Sequence, residues 1–110
     1  MAERADSLSD LGRFTDPSLL ILSSLASGPK HGYAMMEDIY QFSGTQLEPG
    51  TLYGDLTRLE RRGWIEPLPA EERRRPYRIT GAGLVALREQ LATMARIVNT
   101  AQARLAPGLG

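Results

Sequence analysis

Arginines are the side chains in this sequence best suited to binding another molecule, because they are concentrated in one stretch. Residues 1–57 carry three basic and eight acidic side chains, a net charge of −5, whereas residues 58–110 carry ten basic and five acidic side chains, a net charge of +5. Guanidinium groups bind phosphate and guanine through paired hydrogen bonds, and such a charge asymmetry suggests a polyanionic partner. The neutral total therefore does not argue against nucleic acid. Seven of the ten bases in the second half lie close together: Arg58, Arg61, Arg62, Arg73, Arg74, Arg75 and Arg78.

The sequence contains few residues that could support catalysis or bind a metal ion. The absence of Cys excludes a disulfide framework, a thiolate metal site and a Cys nucleophile, and the single His31 leaves little for a metal site. No Gly-x-Ser-x-Gly motif occurs, and the glycines around Lys30 lack the spacing of a phosphate-binding loop. We therefore expect no enzyme activity, no catalytic residues, no metal and no cofactor.

The length and hydropathy of the chain predict a single domain in the cytoplasm. Its 110 residues match the usual size of one domain. No apolar run approaches the ~20 residues of a membrane-spanning helix, and residues 1–10 lack the apolar core of a signal peptide. We interpret residues 1–15 as a short amphipathic arm, and we expect no contact with a membrane.

Three helices are predicted before the last of the arginines. The first begins at Asp16-Pro17, a favourable cap followed by a favourable first residue, and its apolar run predicts a buried helix. The second follows Lys30, and its predicted buried stripe consists of Tyr33, Met36, Ile39 and Tyr40. The third begins at Pro49 and buries Leu52, Leu56 and Leu59. On its opposite face we expect Thr51, Tyr53, Gly54, Asp55, Thr57, Arg58, Arg61 and Arg62.

The residues after the third helix predict a hairpin. Residues 64–68 and 76–80 have the pattern of two short strands, and the charged residues 70–75 between them form its tip. Tyr77 and Ile79 share one face of the returning strand, and Arg78 lies on the other. A hairpin of two strands is barely stable alone, so we expect it to pack on the helices.

A heptad pattern follows the hairpin. Its apolar positions recur at alternating spacings of three and four residues, which is typical of a coiled-coil seam. Such a helix would be about 35 Å long at ~1.5 Å per residue, longer than the preceding helices can cover. We therefore predict a dimerisation helix over residues 81–107. Its contacts with a second copy would be made by Leu84, Leu87, Leu91, Met94, Val98, Ala101 and Leu105.

The order helix, helix, helix, hairpin is that of a winged helix-turn-helix, which we assign to residues 16–80. The predicted fold class is therefore mainly α with a small β wing, followed by the long C-terminal helix. In this architecture the third helix enters the major groove of double-stranded DNA and the wing follows the backbone. The predicted DNA-binding residues are Thr51, Tyr53, Thr57, Arg58, Arg61, Arg62, Arg73, Arg74, Arg75 and Arg78.

The sequence also resembles the PadR family of transcriptional regulators over roughly residues 17–90. The resemblance is carried by His31-Gly32-Tyr33, by Pro49–Tyr53, by Leu56–Ile65 and by Arg73–Thr80 followed by Gly83. It implies a homodimeric winged-helix repressor of a palindromic promoter site, in which the Tyr53 hydroxyl contacts a phosphate. The single C-terminal helix resembles the small subtype, and the family leaves room for control by a small-molecule effector.

The sequence departs from the family pattern after Tyr53. At this point the family commonly has proline or a bulkier residue, whereas this chain has Gly54-Asp55. A carboxylate close to phosphates is unfavourable unless it pairs with a base, and Arg58 is one turn further along.

Several residues keep a second interpretation. Tyr53 could pack in the core, Thr51 could cap its helix, and the arginines could form a solvated surface. His31 is better explained as a cap of the second helix than as a pH-sensitive group. An alternative function is a winged-helix protein-interaction module that does not bind DNA and uses its arginine-rich hairpin to dock an acidic partner. Because DNA binding weakens steeply with salt, the salt dependence of binding separates the two.

Overall fold

The computed structural model describes residues 16–106, which excludes the predicted arm of residues 1–15. Four helices and a two-stranded antiparallel sheet make up this part of the chain. Helices α1 (Pro17–Leu25), α2 (Gly32–Ser43) and α3 (Pro49–Arg61) are followed by strands β1 (Ile65–Pro67) and β2 (Tyr77–Ile79) and by helix α4 (Gly81–Leu105). This is the predicted winged-helix fold with a long C-terminal helix. None of the described helices is long and apolar enough to cross a membrane.

Helix α1 lies at the centre of the core. The Asp16 side chain caps it by accepting a hydrogen bond from the Ser18 N–H (2.9 Å), and Pro17 occupies the first turn, as predicted. Helix α1 packs against α2, α3 and α4, so its apolar residues are buried on more than one side. The core that it organises contains Leu20, Ile21, Leu22, Leu25, Met35, Ile39, Leu47, Leu52, Leu56, Leu59, Ile65 and Leu87.

The predicted buried stripe of helix α2 is only partly right. Ile39 is buried as predicted and Met36 is half-buried, but Tyr33 and Tyr40 are exposed, and Met35 is the fully buried methionine. Successive positions of a helix lie about 100° apart, so the two adjacent methionines made either of two faces look apolar. Gly32 decides between the faces, because it is buried in close contact with Leu52 and Tyr53 of α3.

The hairpin is shorter than predicted, and its two strands pair in the antiparallel direction. Ile65 pairs with Ile79, Glu66 with Arg78, and Pro67 with Tyr77. At the tip, the backbones of Glu71 and Arg74 exchange two hydrogen bonds around a two-residue turn. The Lys30 backbone also pairs with that of Tyr77, so the chain before α2 runs alongside the hairpin as a third, very short strand.

Helix α4 packs on the rest of the chain only through its first turns. Thr80 caps it by accepting a hydrogen bond from the Gly83 N–H (3.1 Å). Leu87 is buried in the chain's own core, so its side chain is not available to a second copy, and Leu84 is half-buried. From Arg88 to Ala106 every side chain except that of Thr93 is exposed. The remaining predicted seam therefore begins at Leu91.

We predict that Gly83→Ala destabilises the protein. An added Cβ would overlap the Trp64 carbonyl oxygen and would lie 2.8 Å from Ile79 Cγ1. Because backbone cannot yield as a flexible side chain does, we expect the free energy of unfolding to fall by about 1–3 kcal/mol. The measurement is urea unfolding followed by the fluorescence of Trp64. Gly81→Ala is the matched control, since no atom lies within 4 Å of its added Cβ. Equal stability of the two variants would contradict the prediction.

Candidate nucleic-acid interface

The outward face of helix α3 carries half of the ten predicted DNA-binding residues. Leu52, Leu56 and Leu59 face the core as predicted. The exposed face contains Gly50, Thr51, Tyr53, Gly54, Thr57, Arg58, Glu60 and Arg61. Because the core side is fixed by the leucines, these side chains form one continuous outward surface over more than three turns of helix.

Asp55 does not belong to that outward face, contrary to the prediction. Its side chain is only 1% exposed, because position 55 falls between Leu52, Leu56 and Leu59 on the helical surface. Its carboxylate forms an ion pair with the Arg58 guanidinium, one turn further along the helix. The expected pairing of Asp55 with Arg58 is therefore present, but it joins a buried group to an exposed one.

Tyr53 joins helix α3 to the hairpin and to the start of α2. Its phenol lies over the backbone of Gly32, where a Cβ would meet the hydroxyl at 2.6 Å. The ring remains half-exposed in a cleft of about 260 Å³, so the interpretation of Tyr53 as a core residue is wrong. The cleft is lined by His31, Gly32, Tyr33, Tyr53, Arg73, Arg74, Arg75 and Tyr77.

His31 performs the predicted capping role and also reaches the hairpin tip. Its Nδ1 accepts a hydrogen bond from the Ala34 N–H (3.4 Å), and its Nε2 lies 3.3 Å from Arg74 Nη1. In the same cleft, burial raises the pKa of the Tyr77 phenol, and the negative charge of Glu60 adds to this effect. Tyr77 is therefore a neutral hydroxyl group at neutral pH.

The arginines of the hairpin have different surroundings. Arg78 Nε donates to Glu66 Oε1 (2.6 Å) across the two strands, and Arg75 Nη1 donates to the Leu68 carbonyl oxygen (3.0 Å). Arg73 lies at the tip with a left-handed backbone (φ 76°). Within the described part of the chain, Arg58 and Arg78 are the arginines of this surface that form ion pairs, whereas Arg61, Arg73, Arg74 and Arg75 form none. The basic surface is thus strongest at the tip and along α3.

Arg62 is separate from this surface. It caps the C-terminal end of α3, and its guanidinium stacks on Trp64 with Cζ 5.1 Å from the ring centroid. With Asp16 and Gln90, both side chains line a cavity between α1 and α4. Of the ten predicted DNA-binding residues, the structure brings Tyr53 of α3 together with Arg73, Arg74 and Arg75 of the hairpin in one cleft, whereas Arg62 lines a different cavity.

Sequence reasoning missed two contributors to the interface. Tyr33 lines the cleft from α2, and its position directly after His31-Gly32 in the motif that resembles the family was the available signal. Glu66 forms an ion pair with Arg78, and a prediction of the strand register would have placed these two residues opposite each other. The cleft places the hydroxyl groups of Tyr33 and Tyr53 beside the hairpin arginines 73–75, an arrangement suited to binding phosphates.

Comparisons with known proteins agree with this geometry. A family model described as the transcriptional regulator PadR-like family matches residues 21–89. A PadR family transcriptional regulator from Eggerthella lenta is 29% identical, with a TM-score of 0.79 and with 94% of this chain and 93% of that chain covered. A transcriptional regulator from Clostridium thermocellum is 30% identical, with a TM-score of 0.65 and coverage of 76% and 89%.

A curated relative is longer than this chain. An uncharacterized 37.1 kDa protein in transposon TN4556 of Streptomyces fradiae is 45% identical over 85 residues, which is 77% of this chain. The matched region is 25% of that protein. The chain therefore spans about a quarter of the length of this relative.

We predict that Gly32→Ala displaces the Tyr53 phenol. The added Cβ would lie 2.6 Å from the hydroxyl and 3.2 Å from the Leu52 side chain, and the exposed phenol can move more easily than the buried leucine. In protein labelled with ¹³C-tyrosine, we expect the Tyr53 ring resonances to shift. Gly50→Ala is the control, because no atom lies within 4 Å of its added Cβ. Unchanged Tyr53 resonances in the Gly32 variant would contradict the prediction.

Proposed function

Because this chain belongs to the PadR-like family of transcriptional regulators, we propose that it is a homodimeric repressor that binds a pseudo-palindromic promoter site. The observation that carries the proposal is the common surface formed by the outward face of α3, the Tyr53 cleft and the hairpin tip. A helix of this size fits the major groove, and a basic hairpin beside it can follow the phosphates. Such a repressor acts in the cytoplasm, where promoter DNA is accessible.

The proposed contacts divide by chemistry into two groups. Thr51, Thr57, Arg58 and Arg61 would face the base edges and the adjacent phosphates from α3. Tyr53 and the arginines 73–75 would bind the backbone, which fixes the orientation of α3 without reading sequence. Arg78 is partly neutralised by Glu66, so we expect it to contribute less than Arg73 or Arg74.

The proposed dimer rests on the exposed part of helix α4. Leu91 and Val98 are 47% and 48% exposed, and Met94 and Leu105 are also exposed along the predicted seam. A helix with an apolar stripe of this length normally has a partner, and a second copy supplies an identical stripe. Two heads joined in this way would meet two half-sites about one turn of DNA apart.

The same arrangement supports control by a small-molecule effector. The two heads would be connected only through their α4 helices, so their separation would depend on the angle between these helices. An effector that changes this angle would move the heads out of register with the two half-sites and weaken binding.

The first test is selection of duplexes from a random pool, followed by binding at increasing salt. We expect a two-fold symmetric site and a steep loss of affinity with salt. Replacing Arg73, Arg74 and Arg75 with Ala should lower the salt slope by up to ~3 per protomer, or ~5 for the proposed dimer, since each lost phosphate contact lowers it by about 0.9.

The control removes the same number of charges from helix α4, by replacing the exposed Arg88, Arg96 and Arg104 with Ala. Its slope should remain close to that of the wild type. If no duplex is enriched and an acidic protein binds the hairpin instead, the protein-interaction module is the better description. Equal salt slopes for the two triple variants would show that the hairpin does not contact the DNA phosphates.

The second test concerns the seam of helix α4. We expect Leu91→Asp combined with Val98→Asp to produce monomers, because two buried carboxylates per helix would oppose association. Sedimentation velocity at micromolar concentration measures the change. Ala92→Asp combined with Asn99→Asp is the control, with the same spacing on a face turned away from the seam. The proposed dimer would be contradicted if the wild type sedimented as a monomer, or if the seam variant had the same sedimentation coefficient as the wild type.

A further inference from the structure

Helix α3, which we propose enters the major groove, carries a charged side chain that is buried in the protein. Asp55 is the only charged side chain that is fully buried among the described residues. It lies on α3 between leucines of the core, and its ion pair is with Arg58, whose side chain is 64% exposed. The pair therefore connects the interior of the protein to the surface that would face DNA.

Burial makes this pair more persistent than an ordinary surface ion pair. Separating two exposed charges costs little free energy, because water solvates both of them. If Arg58 left Asp55, a carboxylate would remain unpaired among apolar side chains, which is costly. The Arg58 guanidinium is consequently held at one end, through Nη2, while the rest of it faces solvent.

Gly54 keeps the space beside this guanidinium open. Long side chains on a helix point back toward its N-terminus, so Arg58 extends over the turn that contains residues 54 and 55. A Cβ at Gly54 would have no atom within 4 Å, so packing inside the molecule does not require glycine there. Glycine in the middle of a helix is unfavourable, and no contact within the described residues requires it at position 54.

We propose that Asp55 is a positioning residue that fixes Arg58 for recognition of a guanine in the major groove. The inference rests on the proposed function and adds a base preference to it. A guanidinium has five N–H donors, and only Nη2 of Arg58 is in contact with Asp55, so the donors on the other nitrogens can bind O6 and N7 of guanine. The adjacent negative charge makes a phosphate a poorer partner for Arg58 than the neutral edge of a base.

The experiment uses the full chain and duplexes enriched by it from a random pool. We expect each half-site to contain a guanine whose replacement by 7-deazaguanine, which lacks the N7 acceptor, weakens wild-type binding by about tenfold. Arg58→Ala should show no such loss. Asp55→Asn should show a much smaller loss than the wild type, because Arg58 is released.

Asp55→Asn has a second expected signature that a merely structural role would not produce. The released Arg58 becomes available to phosphates, so affinity for random duplex should rise and the salt slope should steepen by about one per protomer. If the variant were only less well folded, affinity would fall for every duplex and the guanine preference would be retained.

Two controls isolate the pair. Glu60→Gln removes one negative charge from the same helix, so it should raise affinity for all duplexes but leave the guanine preference unchanged. In an Arg58→Ala background, Asp55→Asn should have no further effect on that preference, because the group it positions is gone.

The outcomes separate this inference from the proposed function. If the wild type enriches no duplex, the proposed function fails and this inference fails with it. If the wild type enriches a site that lacks guanine opposite α3, or if Asp55→Asn keeps the full 7-deazaguanine effect, only the positioning role of Asp55 is overturned.

Discussion

The backbone pairing of Lys30 with Tyr77 is the contact on which the rest of the interface depends. Lys30 N–H donates to the Tyr77 carbonyl (3.1 Å), and Tyr77 N–H donates to the Lys30 carbonyl (3.0 Å). The Lys30 ammonium also donates to the Ser24 carbonyl oxygen at the end of α1 (2.5 Å) and to Ser27 Oγ (2.7 Å). One residue thus joins the end of α1, the beginning of α2 and the second strand. Because of this junction, His31 and Gly32 lie beside the hairpin and give Tyr53 its place in the cleft.

The sequence predicted the order of the elements well because local patterns determine them. The Asp16-Pro17 cap, the leucines of α3 and the Thr80 cap are confirmed, and so is the resemblance to the PadR family. The buried face of α2 was not predictable in the same way. Its orientation depends on the contact of Gly32 with Tyr53, more than twenty residues away, and adjacent methionines hid the difference between the two faces.

The same reasoning explains why two residues of α3 have surroundings other than predicted. Charge suggested that Asp55 and Arg62 belong to the outward face of α3, but Asp55 is buried, and Arg62, although exposed, lies at the C-terminal cap of the helix. Asp55 falls among the leucines, and Arg62 follows the last turn of α3, where Trp64 offers an aromatic face to its guanidinium. Leu87 continues the heptad pattern in sequence, yet it is buried in the core of its own chain, where α4 packs against α1. A periodic apolar pattern shows that a face is covered, but it does not show whether the same chain or a second copy covers it.

The hairpin tip shows that geometry has been favoured over local stability. Glu72 and Arg73 both have left-handed backbones (φ 47° and 76°), which cost non-glycine residues about 1 kcal/mol each. Asparagine and glycine would fit this two-residue turn without that cost. Glycine at 73 would, however, remove a guanidinium group from the tip of the hairpin. Below this turn, the strands are joined by the ion pair of Glu66 with Arg78, and the backbone pairing of Lys30 with Tyr77 attaches the hairpin to the chain before α2.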